Sequence, residues 1–122
     1  MNEISDIGAV RTLVRQLHQR GISDIVLSPG SRNAPFILSF NAVGSFHCQS
    51  ILDERTAGFV ALGIAQQKGR PAVLSCTSGS AVLNYAPALV EAYYQKVPLI
   101  AITADRPAAW IDQGEGQSIR QV

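Results

Sequence analysis

The chain has 122 residues, and ten basic against nine acidic side chains leave a formal net charge of +1. That balance gives no electrostatic case for a nucleic-acid or anionic-membrane partner. Apolar residues make up 47%, which excludes disorder, and no apolar run approaches the ~20 residues that span a bilayer.

The opening MNEISDIGAV carries acids and lacks a basic stretch followed by an apolar one, so no signal peptide is visible and a cytoplasmic protein is expected. Cys48 and Cys76 form no CxxC spacing, which suggests neither a zinc site nor a disulfide framework. Charged residues are only 16%, against roughly 25% in average domains. A small, charge-poor domain is expected to hide surface against another domain or subunit. The closing GEGQSIRQV has no helix or strand to tie it down, as in a piece of a longer protein or one subunit of an assembly.

Residues 5–20 place Ile7, Val10, Leu13, Val14 and Leu17 at helical spacing, with Ser5 as cap and Gly21 as stop. Asp24–Ser28 reads as a short buried strand ended by Pro29-Gly30. Residues 34–42 read as a helix with Gly44 beyond it, and Ser45–Leu52 as a second, less apolar strand. Residues 54–68 form the clearest helix, capped by Asp53 and ended by Gly69, with Ala57, Val60, Ala61, Ile64 and Ala65 on one face. Gly58 and Gly63 weaken this helix by about 1 kcal/mol each relative to Ala, so both are expected to admit another backbone closely. Pro71–Cys76 reads as a third strand, Ser80–Gln95 as a helix kinked by Pro87, and Pro98–Thr103 as a fourth strand. Beyond Ala104 a loop with one helical turn is expected.

Apolar strands alternating with helices predict an α/β fold: a three-layer α-β-α domain around a parallel, doubly wound sheet. Ligands of such sheets bind beyond the carboxyl ends of the strands. The turns there read SPGSRNAP, LDERTAG, TSGSA and ADRP.

In the first turn two hydroxyls, Gly30 and Arg32 near a helix start suit a carboxylate or phosphate, or form a plain turn with a surface Arg. Neither a G-x-G-x-x-G fingerprint nor a P-loop is present. In the second turn Glu54 is either a solvated first-turn acid favoured by the helix dipole or an acid or base turned into a pocket. The third turn does not match a nucleophile elbow and reads as a helix cap. Only two of the ten basic residues are Lys, and Arg32, Arg55, Arg106 and Arg120 fall at or beyond strand ends, a pattern suited to a small acidic ligand. His18 reads as a surface residue and His47 as sheet filler, while Cys48 and Cys76 read as small core hydrophobes.

Taken together, LSPGSRNAPF, LDERTAGFVALGIAQ, TSGSAVLNYAPALVEAYYQKVPLIAITADRP and the Gln in GQSIRQ resemble the N-terminal, pyrimidine-binding domain of thiamine-diphosphate enzymes. The SPGSR and ADRP turns resemble, within that family, the synthases of the menaquinone pathway. Ser80 stands where acetolactate-synthase relatives usually carry Pro, which favours the narrower likeness. The resemblance runs from about Arg11 to Gln121. It implies thiamine diphosphate as cofactor and a glutamate, Glu54 by motif position, that hydrogen-bonds the pyrimidine ring nitrogen and promotes proton loss from the thiazolium carbon. It further implies that Pro29, Thr77 and Ser78 lie near the pyrimidine, and that Ser31, Arg32, Arg106 and Gln117 contact substrate. The implied substrates are 2-oxoglutarate, which loses carbon dioxide, and isochorismate, which receives the succinyl unit.

One departure matters. The family's diphosphate and Mg²⁺ (or Mn²⁺) site is a G-D-G…N segment of a later domain, and nothing here matches it. Residues 1–122 are therefore expected to be an N-terminal domain that is inactive alone, working as part of a homodimer or homotetramer. Two alternatives stand beside this: a pyrimidine-domain subunit of a two-chain thiamine-dependent decarboxylase, and a non-catalytic flavodoxin-like binding module.

Overall fold

The computed structural model describes residues 4–116 and 118–121. In chain order the elements are α1 (Gly8–Gln19), β1 (Asp24–Leu27), α2 (Ala34–Ala42), β2 (His47–Ser50), α3 (Glu54–Lys68), β3 (Ala72–Cys76), α4 (Ser80–Asn84), α5 (Ala86–Gln95) and β4 (Leu99–Thr103), followed by a 3₁₀ turn (Ala108–Trp110). The strands form one parallel sheet in the order β2-β1-β3-β4. The parallel α/β architecture expected from the alternation is the one observed.

Local chemistry sets the helix limits. Asp53 caps α3 by accepting the Thr56 N–H at 2.7 Å, which also draws the Asp53 carboxyl below its usual range. Gly69 ends the same helix in the left-handed region at φ 61°. Ser5 does not cap α1. The helix starts two residues later with Ile7 in the cap position, while the Ser5 hydroxyl takes the Ile7 N–H at 3.2 Å from outside. The expected kink at Pro87 takes the form of a one-residue interruption: α4 stops at Asn84 and α5 begins at Ala86, with Tyr85 between them still at helical dihedrals, because proline lacks the N–H and its ring crowds the preceding turn.

Strand side chains alternate between two cores. On one face Ile25, Leu27, Val73 and Ile102 pack with Val14, Leu17 and Phe40 from α1 and α2. On the other, Val26, Leu74 and Cys76 pack with Ala57, Ala61 and Ala65 of α3 and with Tyr85. Phe40 is wholly buried and meets Phe46 edge-on, a burial that contributes about 2–3 kcal/mol. Alanines on α3 bring it close to the sheet, and Gly58 brings it close to α5. A Cβ on Gly58 would lie 2.8 Å from the Ala88 Cβ, closer than carbon atoms pack. Gly63 differs from expectation, since a Cβ there meets nothing within 4 Å. Val60 and Ile64 flank the buried face of α3 half-covered, and Leu62 is buried in their place.

β2 is an edge strand, and its pairing stops at Ser50. His47 is accordingly exposed on it, not filling the sheet. His18 is exposed as expected, with its Nδ1 2.8 Å from the Ser45 hydroxyl.

The amino ends of the strands are tied by ions. Asp24, only 5% exposed, receives Lys68 at 2.6 Å and Arg70 at 3.2 Å. Burial alone would raise the Asp24 pKa, but the two cations and their hydrogen bonds outweigh it and hold the carboxyl below its ordinary value. An open groove of about 340 Å³ at this same end is bordered by Gln66, Gly69, Gln95, Lys96 and Pro98.

Candidate functional site

In the order β2-β1-β3-β4, the chain leaves β1 in opposite directions to reach β2 and, later, β3. The crevice between β1 and β3 is thus the topological switch point where ligands of parallel sheets bind. The first and third turns meet there. A Cβ on Gly30 would sit 2.5 Å from the Thr77 Cβ, so only glycine lets these turns touch. Below them Ser28 donates its backbone N–H to the Ser75 carbonyl at 2.8 Å. Asn33, wholly buried, donates its side-chain amide to the Ser28 carbonyl at 3.1 Å and to the Ser75 hydroxyl at 3.4 Å. Its Oδ1 has no hydrogen-bond partner among the described residues. A buried acceptor without a donor is costly, and marks a place where a ligand N–H or a water fits.

Glu54 opens α3 and is half-buried. Its Oε2 accepts the Asn84 side-chain amide at 3.2 Å, and its Oε1 makes no hydrogen bond among the described residues. Two buried groups lie within reach of its charge. Burial pushes the Cys76 thiol up to about 12, opposed by the Tyr85 hydroxyl and aided by Glu54. Burial likewise raises Tyr85, whose hydroxyl hydrogen-bonds Ser28 Oγ at 3.4 Å and meets the thiol. At neutral pH both are uncharged, so Cys76 is an inert floor and not a nucleophile. Glu54 therefore stands beside uncharged groups at the carboxyl ends of the strands, one oxygen held and one free.

The fourth turn contributes through the segment that follows it. Arg106, its side chain 13% exposed, reaches Glu115 at 3.3 Å and the Gly116 carbonyl at 2.7 Å, while its Nε finds no partner among the described residues. Arg120 pairs with Asp112, which holds its guanidinium charged well into the alkaline range. Gln121 accepts the Gly79 N–H at 2.9 Å and donates to the Ala104 carbonyl at 2.9 Å, so it pins the third turn to the fourth. Gly79, not a hydroxyl side chain, holds the cap position of α4. The half-buried Arg32 guanidinium lies 5.5 Å from the Trp110 ring centre, a cation–π distance. Arg55 is exposed.

Of the residues singled out by sequence, Glu54, Gly30, Thr77 and the buried Ser78 gather around the crevice. Pro29 and Ser31 are exposed on the first turn, and Gln117 lies outside the described residues. Sequence reasoning missed Asn84, Tyr85 and Gln121, and read Asn33 only as part of a turn. Pro87 was the available signal for the first two, because the helix is interrupted two to three residues before it. Among the described residues no group of three or more His, Cys, Asp or Glu side chains could hold a metal ion, and no helix is long and apolar enough to cross a membrane.

Comparison with known proteins gives the family. The chain is 53% identical over 120 residues to the 2-succinyl-5-enolpyruvyl-6-hydroxy-3-cyclohexene-1-carboxylate synthase of Porphyromonas gingivalis, covering 98% of the chain and 21% of that protein. It is 54% identical to the synthase of the same name from Cytophaga hutchinsonii over 93% of the chain and 20% of the relative. The corresponding synthase of Flavobacterium johnsoniae is 53% identical over 94% of the chain and 21% of the relative. The chain thus spans about a fifth of the length of these relatives. A family model described as "Thiamine pyrophosphate enzyme, N-terminal TPP binding domain" matches residues 8–122, and the chain belongs to that family.

Proposed function

We propose that this chain is the pyrimidine-binding domain of a synthase that decarboxylates 2-oxoglutarate and transfers the succinyl unit to isochorismate, giving 2-succinyl-5-enolpyruvyl-6-hydroxy-3-cyclohexene-1-carboxylate. The observation that carries the reading is identity above half, over nearly the whole chain, to synthases of that name.

The crevice fits an aminopyrimidine. It offers a carboxyl group with one free oxygen, a close Gly30–Thr77 contact that brings the first and third turns together, and the unpartnered acceptor of Asn33. Glu54 would hydrogen-bond the ring nitrogen, with Pro29, Thr77 and Ser78 around the ring. Thiamine diphosphate, when bound, supplies the electron sink that decarboxylation of a 2-oxo acid needs. The protein's part is to share a proton at Glu54 Oε1 in a site from which water is excluded. Ser31, Arg32, Arg106 and Gln117 would take the carboxylates of the two substrates, for which planar guanidinium groups are suited. The G-D-G…N residues that hold diphosphate and Mg²⁺ or Mn²⁺ in this family have no counterpart in residues 1–122, so the domain alone gives no turnover.

Exposed Leu52, Phe59 and Leu83 lie on the segments that carry Glu54 and Asn84, and support a homodimer or homotetramer in which a second protomer dries the site. The same reading places the enzyme in the cytoplasm.

The test is Glu54→Gln in the full-length protein. It is expected to lower kcat by about 10²–10⁴-fold. The melting temperature should stay within about 2 °C, because the side chain is half-exposed. Activity near that of the parent overturns the reading.

A further inference from the structure

We propose that Asn84 and Tyr85 are positioning residues that decide which oxygen of Glu54 carries the proton. The inference rests on the reading of Glu54 given above.

The two residues sit at the break between α4 and α5, enforced by Pro87. Tyr85 cannot move independently of the site. It is wholly buried, its hydroxyl is bound to Ser28 of the first turn, and its ring edge lies beside Gly58 of α3. Locking Tyr85 locks the backbone of its neighbour. The Asn84 side chain is itself exposed, and from that anchored backbone its amide reaches Glu54 Oε2 at 3.2 Å across the gap between α4 and α3.

A protonated carboxyl has one carbonyl oxygen and one hydroxyl. An N–H aimed at Oε2 makes that oxygen the acceptor, because a proton placed there would face another hydrogen. Oε1 is left to carry the proton and to meet the ligand. The donor is also neutral. A Lys or Arg in the same place would hold Glu54 firmly ionised, as Lys68 and Arg70 do for Asp24. An amide orients the group without fixing its charge.

The experiment uses the full-length protein and measures thiamine diphosphate affinity by calorimetry across pH, with melting temperature and steady-state kinetics alongside. Asn84→Ala removes a donor that favours the ionised carboxylate, so the midpoint of the affinity–pH profile should rise by about 0.5–1 unit. Asn84→Asp, nearly isosteric, sets a like charge beside Glu54 and should raise the midpoint further, by about 1–2 units. Tyr85→Phe should shift it in the same direction by less. For Asn84→Ala, kcat should fall about tenfold with KM for the 2-oxo acid changed less than about threefold. Glu54→Gln should flatten the profile. Midpoints of both Asn84 variants equal to the parent's, with a flat Glu54→Gln profile, overturn this inference and leave the reading of Glu54 intact. A Glu54→Gln profile that keeps the parental midpoint overturns both. A parental midpoint in Tyr85→Phe removes Tyr85 from the device.

Discussion

At the carboxyl-terminal end of α3 a buried carboxylate, Asp24, meets Lys68 and Arg70; at its amino-terminal end a half-buried one, Glu54, meets only the amide of Asn84. The first arrangement pairs its charge with two cations and ties β1 to the carboxyl-terminal end of α3. The second leaves one oxygen free beside an uncharged thiol and phenol. A carboxyl group satisfied by cations is a strut, and one that meets a single neutral donor keeps an oxygen open to a ligand. The sheet therefore separates stability at the amino ends of its strands from candidate chemistry at their carboxyl ends.

Substitutions can break that separation or sharpen it. The largest effect is expected from Gly58→Val, which thrusts a branched side chain against Ala88 in the packing both ends share. It should cost about 3 kcal/mol, read from urea unfolding, with catalysis lost alongside. Asp24→Ala should cost less, about 1–2 kcal/mol, because the two freed cations are already 43% and 47% exposed and simply hydrate. Its kcat in the full-length protein should be unchanged, and a fall in kcat would break the comparison.

The sign of the Asp24 pH effect follows from its lowered pKa. The strut contributes fully above the unfolded-state value, and its contribution is lost as pH falls through the still lower folded-state value. Acid titrations followed by circular dichroism should therefore show the parent losing its advantage over Asp24→Asn below pH 3.8. Tyr85→Phe should cost about 1 kcal/mol or less, since the bond to Ser28 is long at 3.4 Å, yet perturb kcat more than melting temperature. The smallest effect is Trp110→Ala, which removes a cation–π contact to Arg32 worth about 0.5–1 kcal/mol and should act on substrate KM.

Much of this organisation is legible in the amino-acid sequence where its causes are local. Asp53, Gly69 and Pro87 mark the limits of α3 and α5 because capping, left-handed closure and ring sterics act within a turn. The alternation of strands and helices gives the parallel sheet, and with it the edge at which to look for a site. Ser5 misleads because a hydroxyl can take a helical N–H from outside the cap position, and Gly63 misleads because its open side faces nothing in this chain. His47 misleads because strand composition does not reveal which strand is an edge. Asn33, Asn84 and Gln121 are legible only in three dimensions. Asn84 meets a partner 30 positions away, and Asn33 and Gln121 meet partners 42 positions away, distances no sequence window spans.

Because all four strands point the same way, the connections that enter them and those that leave them open on opposite poles of the domain. The entering connection at Lys96-Val97 is therefore a natural handle. A fluorophore or affinity tag grafted there would report on folding while standing a full sheet's length from Glu54, and engineers could lengthen it without retuning the opposite pole.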